Sequence, residues 1–241
     1  MTTPSAPIRL AYWLQPIVAL ETGAIIGREW LTRGAGETSA AQLWSWAART
    51  GRVAALEWQV LEDIRRWRRQ LPPEPVWVNL HPDGVAALAQ WDPVAARAGL
   101  APVVWEILEL AGWATNLIER VAGSAPVALD DWGESVGTTT RLTTWPVQWV
   151  KLDAGLVWQA PVRFGLGRWL QLVRGFAQDR GIRLVAEGVE TQAQYAVAKE
   201  LGFFAAQGFA IARPTQWAEV EWHPPPPSLP PRAWRAERDR R

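Results

Sequence analysis

The sequence predicts an α/β fold, a TIM-like (β/α)8 barrel, on three observations. Short apolar or β-branched segments alternate with longer stretches of helical spacing, the pattern of βα units repeated around a parallel sheet. Eight such segments are found in the 241 residues, the strand number a closed barrel needs within its usual length. A composition of 49% apolar and 20% charged residues is ample for a full core.

Taken in order, LAYWLQPIVAL (10–20) and AIIGREWLTR (24–33) read as two strands around a Thr22-Gly23 turn. Residues 40–71 carry helical spacing interrupted near Gly51, which predicts two helices. The remaining strands are PVWVNL (75–80), PVVWEI (102–107), PVALDD (126–131), VQWVKLD (147–153), IRLVAE (182–187) and a short AAQGF (205–209). Further helices are predicted over 163–181, capped by Gly181, and over 191–202. From His223 the chain reads HPPPPSLPP and then RAWRAERDRR. Consecutive prolines continue neither a helix nor a central strand. The expected domains are therefore a barrel over 1–222 and a Pro-rich, then Arg-rich tail over 223–241, disordered or used to dock a partner.

Charge and composition exclude several functions. A net charge of +1 gives no overall field to draw nucleic acid or an anionic membrane. The 18 tryptophans are scattered and not grouped with arginines as a base-stacking surface would be. Zero cysteines remove disulfides, thiolate metal sites and a cysteine nucleophile, and fit a cytoplasmic protein. His81 and His223 are too few for an imidazole zinc site. The start, MTTPSAPIRL, does not read as a secretory signal, and Glu106, Glu109 and Asp130 interrupt the longest apolar runs short of membrane-spanning length.

Chemistry in a parallel barrel gathers at the carboxyl ends of the strands. Here those ends carry Glu29, Asn79, Glu106, Asp130 with Asp131, Lys151 with Asp153, Glu187 and Gln207. A single strand-end aspartate is commonly a helix cap. A ring of such residues on otherwise apolar strands is costly unless paired or metal-bound. Glu29, Asn79, Glu106, Asp130 and Asp131 offer only hard oxygen donors, suited to Mg²⁺ or Mn²⁺. Adjacent aspartates allow one carboxylate to bridge two ions, and paired ions stabilise both oxygens of a displacement at phosphorus. Lys151 beside them would orient the nucleophile or neutralise a phosphate. The pattern points to phosphodiester hydrolysis.

These residues resemble the EAL domain, the bacterial phosphodiesterase of cyclic di-GMP. The signature Glu-x-Leu-x-Arg stands here as EWLTR, with Glu29, Leu31 and Arg33. QPIV (15–18), VNLHP (78–82), EILE (106–109), LDDWG (129–133), VKLD (150–153), AEGVET (186–191) and QGFAIARP (207–214) match further family blocks in order. The resemblance covers residues 8 to about 218. It implies a barrel whose first strand runs antiparallel to the rest. It also implies metal ligation by Glu29, Asn79, Glu106, Asp130, Asp131 and Glu187, with two ions expected and Ca²⁺ inhibitory. Lys151, Glu187, Glu29 and Asp131 would be catalytic. Gln15, Leu31, Arg33, Gln207 and Arg213 would contact the nucleotide. Glu109, Glu190 and Asp153 would support the site, and Trp30, inside the signature, is a candidate stacking surface for guanine.

The sequence departs from the family after the aspartate pair, where DDWGESVGT stands for DDFGTGYSS, and at Leu108, which replaces a threonine. Altered support of this type commonly lowers metal affinity or activity about 10–100-fold. The expected activity is hydrolysis of cyclic di-GMP to pGpG, reduced by the altered loop 132–137. A weak or inactive cyclic di-GMP receptor and a protein-interaction module are the alternatives. A homodimer and a regulatory protein are the other expected partners.

Overall fold

The computed structural model describes residues 8–36, 38–87, 99–100, 102–109, 112–133, 139–159 and 166–222. The expected tail, 223–241, and most of the altered loop, 134–138, lie outside the described residues.

The chain opens with β1 (Ile8–Ala19) and β2 (Ile25–Gly34), an antiparallel pair. Two helices follow, α1 (Ala40–Arg49) and α2 (Val53–Trp67). Ser39 starts α1 with a capping box completed by Gln42, and Gly51, at φ +64°, turns the chain between them. Strands β3 (Val76–Leu80), β4 (Val103–Leu108), β5 (Val127–Trp132), β6 (Trp149–Leu152), β7 (Arg183–Ala186) and β8 (Ala205–Ala206) continue the sheet in parallel. Between and after them lie α3 (Pro82–Ala87), α4 (Thr115–Ala122), α5 (Thr139–Thr144), α6 (Ala154–Gln159), α7 (Leu166–Asp179) and α8 (Gln192–Glu200). Strand β1 pairs antiparallel with both β2 and β8 and so closes an eight-stranded barrel.

The predicted (β/α)8 class and the reversed first strand are both present. Two details differ. AAQGF contributes only Ala205 and Ala206 to the ladder, because Gly208 and its neighbours turn back onto Val189. A ninth strand, β9 (Thr215–Trp222), absent from the sequence reading, pairs antiparallel with the first half of β1 outside the barrel.

Strand alternation divides the core in two. Outward residues such as Val76, Val78, Val103, Trp105, Val127, Leu129, Val150 and Leu184 pack with the helices. Inward residues Ile17, Trp77, Val104, Ala128, Trp149, Val185 and Ala205 form a separate apolar floor inside the barrel. The floor explains Gly27: a Cβ there would overlap the Trp77 indole, so the small residue on β2 makes room for the large one on β3. Among the described residues no helix is long and apolar enough to cross a membrane.

Candidate active site

One inward step above the floor, every barrel strand carries a polar residue. Asn79, Glu106, Asp130, Lys151, Glu187 and Gln207 each follow a floor residue by two positions, Glu29 follows Gly27 beside the floor's Trp77 by two, and Gln15, on the reversed strand, precedes Ile17 by two. The period of two that builds the floor therefore also builds this layer.

Lys151 is its centre, with 1% of its side chain exposed. Its Nζ lies 2.9 Å from Glu106 Oε1, 2.9 Å from Asp130 Oδ1, 2.9 Å from Glu187 Oε1 and 3.4 Å from Glu29 Oε2. Among the described residues the Lys151 ammonium is the one partner of Glu106 Oε1 and Asp130 Oδ1. The amides tie the carboxylates together. Asn79 Nδ2 donates to Glu29 Oε1 and Glu106 Oε2, both at 3.2 Å. Gln207 Nε2 donates to Glu29 Oε2 at 2.6 Å and to Gln15 Oε1 at 3.1 Å, and Gln15 Nε2 donates to the Ala212 carbonyl.

The electrostatics are unbalanced. One ammonium faces four carboxylates in a buried layer, and Glu106, Asp130 and Glu187 hold protons more tightly than in water. Burial, then the neighbouring Glu29, raises Glu106 well above its usual range. Burial likewise raises Asp130 and lifts Glu187 to about 8, although Lys151 opposes both shifts. Burial would depress Lys151, but Asp130, Glu106, Glu187 and Glu29 outweigh it and hold the ammonium charged. A layer that is acid-rich, dry and proton-hungry is one that bound cations would complete.

Asp131 joins it through a backbone exception. Simple alternation would send Asp131 outward and Trp132 inward, yet Asp131 has φ +53° and β5 loses register with β6 there. Aspartate tolerates the left-handed region better than most residues. The kink leaves Asp130, Asp131 and Glu187 with carboxylate oxygens within 4.8 Å of one another, while Glu29, Glu106 and Asp130 form a second such group. Asp130 belongs to both. Trp132 swings out to stack on Trp169 at 5.4 Å.

The other expected residues fall in different places. Leu31 and Arg33 continue the inward face of β2 above Glu29, and Arg33 is exposed with its guanidinium over Trp13. Arg213 is exposed and lies over Phe209. Glu109 is fully buried, accepts a hydrogen bond from the Gly133 N–H at 3.1 Å, and meets the Arg141 guanidinium at its carboxylate and its carbonyl. Arg141 carried no sequence signal, being a lone cation in a short helix. Asp153 Oδ1 accepts from the Leu156 N–H at the start of α6. Glu190 is exposed, its backbone N–H held by Gln194.

Trp30 is a correction. It is 2% exposed and sits on the outer face of β2, 4.9 Å from Tyr12 and stacked on Trp67 of α2. Glu29 faces inward, so its neighbour must face the helices, and Trp30 presents no surface to a base.

Residues 7–214 match the EAL domain family. The chain belongs to that family. It is similar to the cyclic di-GMP phosphodiesterase RocR of Pseudomonas aeruginosa, with 30% identity over 223 residues, 85% of this chain and 57% of RocR. It thus spans little more than half of that relative's length. Among solved structures, the PaMucR phosphodiesterase in its c-di-GMP complex is 25% identical, with a TM-score of 0.72 over 86% of this chain and 96% of that one. The EAL fold likewise appears in BlrP1 of Klebsiella pneumoniae, solved as a manganese/cy-diGMP complex, with a TM-score of 0.75 at 21% identity, covering 91% of this chain and 63% of that one.

Proposed function

We propose that this EAL chain is a phosphodiesterase that opens cyclic di-GMP to linear pGpG with two divalent cations, Mg²⁺ or Mn²⁺, and that it works in the cytoplasm. The observation that carries the reading is Asp130, shared by the Glu29–Glu106–Asp130 and Asp130–Asp131–Glu187 groups. The donor set is oxygen only and fits hard cations. Glu106 Oε1 and Asp130 Oδ1 are buried, have only the Lys151 ammonium beside them among the described residues, and offer further lone pairs to such cations. The cyclic di-GMP phosphodiesterases named above support the substrate.

When bound, such ions supply Lewis-acid stabilisation to the attacking and leaving oxygens at phosphorus. The protein's own groups account for the rest. Lys151 Nζ, placed among Glu106, Asp130, Glu187 and Glu29, is assigned to orient the attacking water as a donor. Glu187 and Asp131 are assigned to hold that water and receive its proton. Gln207 and Asn79 fix both oxygens of Glu29. Arg33, Leu31, Gln15 and Arg213 take the nucleotide, while Glu109, Glu190 and Asp153 support the surrounding loops.

Purified chain given cyclic di-GMP and Mn²⁺ or Mg²⁺ is expected to release pGpG, and Glu29→Ala to abolish release. No pGpG at neutral to alkaline pH with either ion would overturn the reading. Tight binding without turnover would make the chain a receptor instead.

A further inference from the structure

One inward step above the polar layer, the barrel mouth turns apolar again. On β1 that step is Trp13, two residues before Gln15, and in register with it on β2 is Leu31, two residues after Glu29. The neighbours of Trp13 on its own strand confirm its face. Tyr12 donates to Asp63 of α2 and packs on Trp30 and Trp67, all outside the barrel, so alternation puts Trp13 inside. Its strand is paired on both edges here, with Leu31 on β2 and, after a register shift between Tyr12 and Trp13, with Gln216 on β9, which holds the backbone that carries the indole. Trp13 is only half-buried, and its ring lies 5.6 Å from the Arg33 guanidinium.

The placement has a consequence for ligands. Two residues of strand rise put Trp13 roughly 7 Å above the carboxylate layer, about where a base would lie when its phosphodiester meets that layer. A half-buried indole directly above a layer of polar side chains offers a flat apolar face to a ligand seated on that layer. A purine offers a flat π-face, and base–aromatic stacking is sequence-tolerant and strong. The exposed Arg33 guanidinium adds a cation on the same wall.

We propose that Trp13, held against Arg33 and beside Leu31, is the aromatic wall of a purine-base subsite at the mouth of the barrel. This rests on the reading of the chain as a cyclic dinucleotide phosphodiesterase and adds to it a residue that determines specificity.

The test compares the full chain with Trp13→Ala and Trp13→Phe. Each is assayed with Mn²⁺ on cyclic di-GMP and on bis(p-nitrophenyl) phosphate, a phosphodiester without a purine. Trp13→Ala should raise KM for the dinucleotide and lower the ratio of its kcat/KM to that of the base-free diester about 5- to 100-fold. Trp13→Phe should recover most of the ratio. Calorimetry with cyclic di-GMP in Ca²⁺ should show a matching loss of affinity for Trp13→Ala. An unchanged ratio in an active parent, or equal losses on both substrates, would overturn the subsite and leave the proposed activity standing. A parent that binds without turnover would refute the activity alone, with the calorimetric comparison then deciding the subsite. A parent that neither binds nor cleaves the dinucleotide would overturn both.

Discussion

Glu57 offers a test of how this fold treats a buried acid outside the catalytic layer. It lies on α2, 2% exposed, beneath the turn that follows β3. Its Oε1 accepts from the His81 N–H at 3.3 Å, and its Oε2 has no hydrogen-bond partner among the described residues. Gly84 is what admits the carboxyl, since a Cβ there would overlap Oε2. Burial lifts its pKa from 4.5 to about 8, with the His81 N–H opposing. The folded state therefore binds this proton more tightly than the unfolded chain does. The resulting stability is full below pH 4.5 and is lost as pH rises through 8. Across that window the loss is roughly 5 kcal/mol. Glu57→Gln mimics the protonated form and removes this residue's share of the pH dependence. Urea unfolding at pH 5 and pH 9 measures it. The variant should match the parent within ~1 kcal/mol at pH 5 and exceed it by about 3–5 kcal/mol at pH 9. The same difference between the two proteins at both pH values would refute the reasoning.

Three further outcomes follow from the site. Lys151→Met leaves four carboxylates without their shared cation and should destabilise the ion-free protein by about 3–5 kcal/mol. That lowers Tm by roughly 6–20 °C, with part regained on adding Mn²⁺; melting curves in chelator and in Mn²⁺ check it, and an unshifted Tm in chelator contradicts it. Asn79→Ala removes the amide joining Glu29 to Glu106 and should weaken Mn²⁺ binding about 10–100-fold in titration calorimetry; unchanged affinity would exclude Asn79 from holding the ion. Gly208→Ala would drive a Cβ into the Val189 backbone at a residue with φ +158°, next to Gln207, and should cost at least ~2 kcal/mol. Chemical denaturation measures that cost, and a loss below ~0.5 kcal/mol would contradict the packing.

Much of the architecture was readable because one period of two governs both the apolar floor and the polar layer. On each strand the same alternation that hides Trp77 or Val104 presents Asn79 or Glu106 two positions later. Parity also corrects Trp30: with Glu29 inward, Trp30 faces α2 and Trp13 takes the inner position. Strand β9 had its own alternation in Ala218-Glu219-Val220-Glu221-Trp222, masked because eight strands already satisfied a barrel. Asp131 was legible as a ligand type and not as a position, since its placement depends on a φ of +53° that no local pattern announces. Glu57 and Arg141 were illegible because a lone charged residue on an amphipathic helix looks the same whether it meets water or a buried turn.

The central claim is that Asp130 is shared by two divalent cations. The most direct measurement is anomalous diffraction from crystals of the chain soaked in Mn²⁺. Two manganese peaks ~3.5–4 Å apart, with Asp130 touching both and Lys151 drawn back from at least one carboxylate, are the predicted result. No peak, with the Lys151 ammonium still ion-paired to Glu29, Glu106, Asp130 and Glu187, would contradict it.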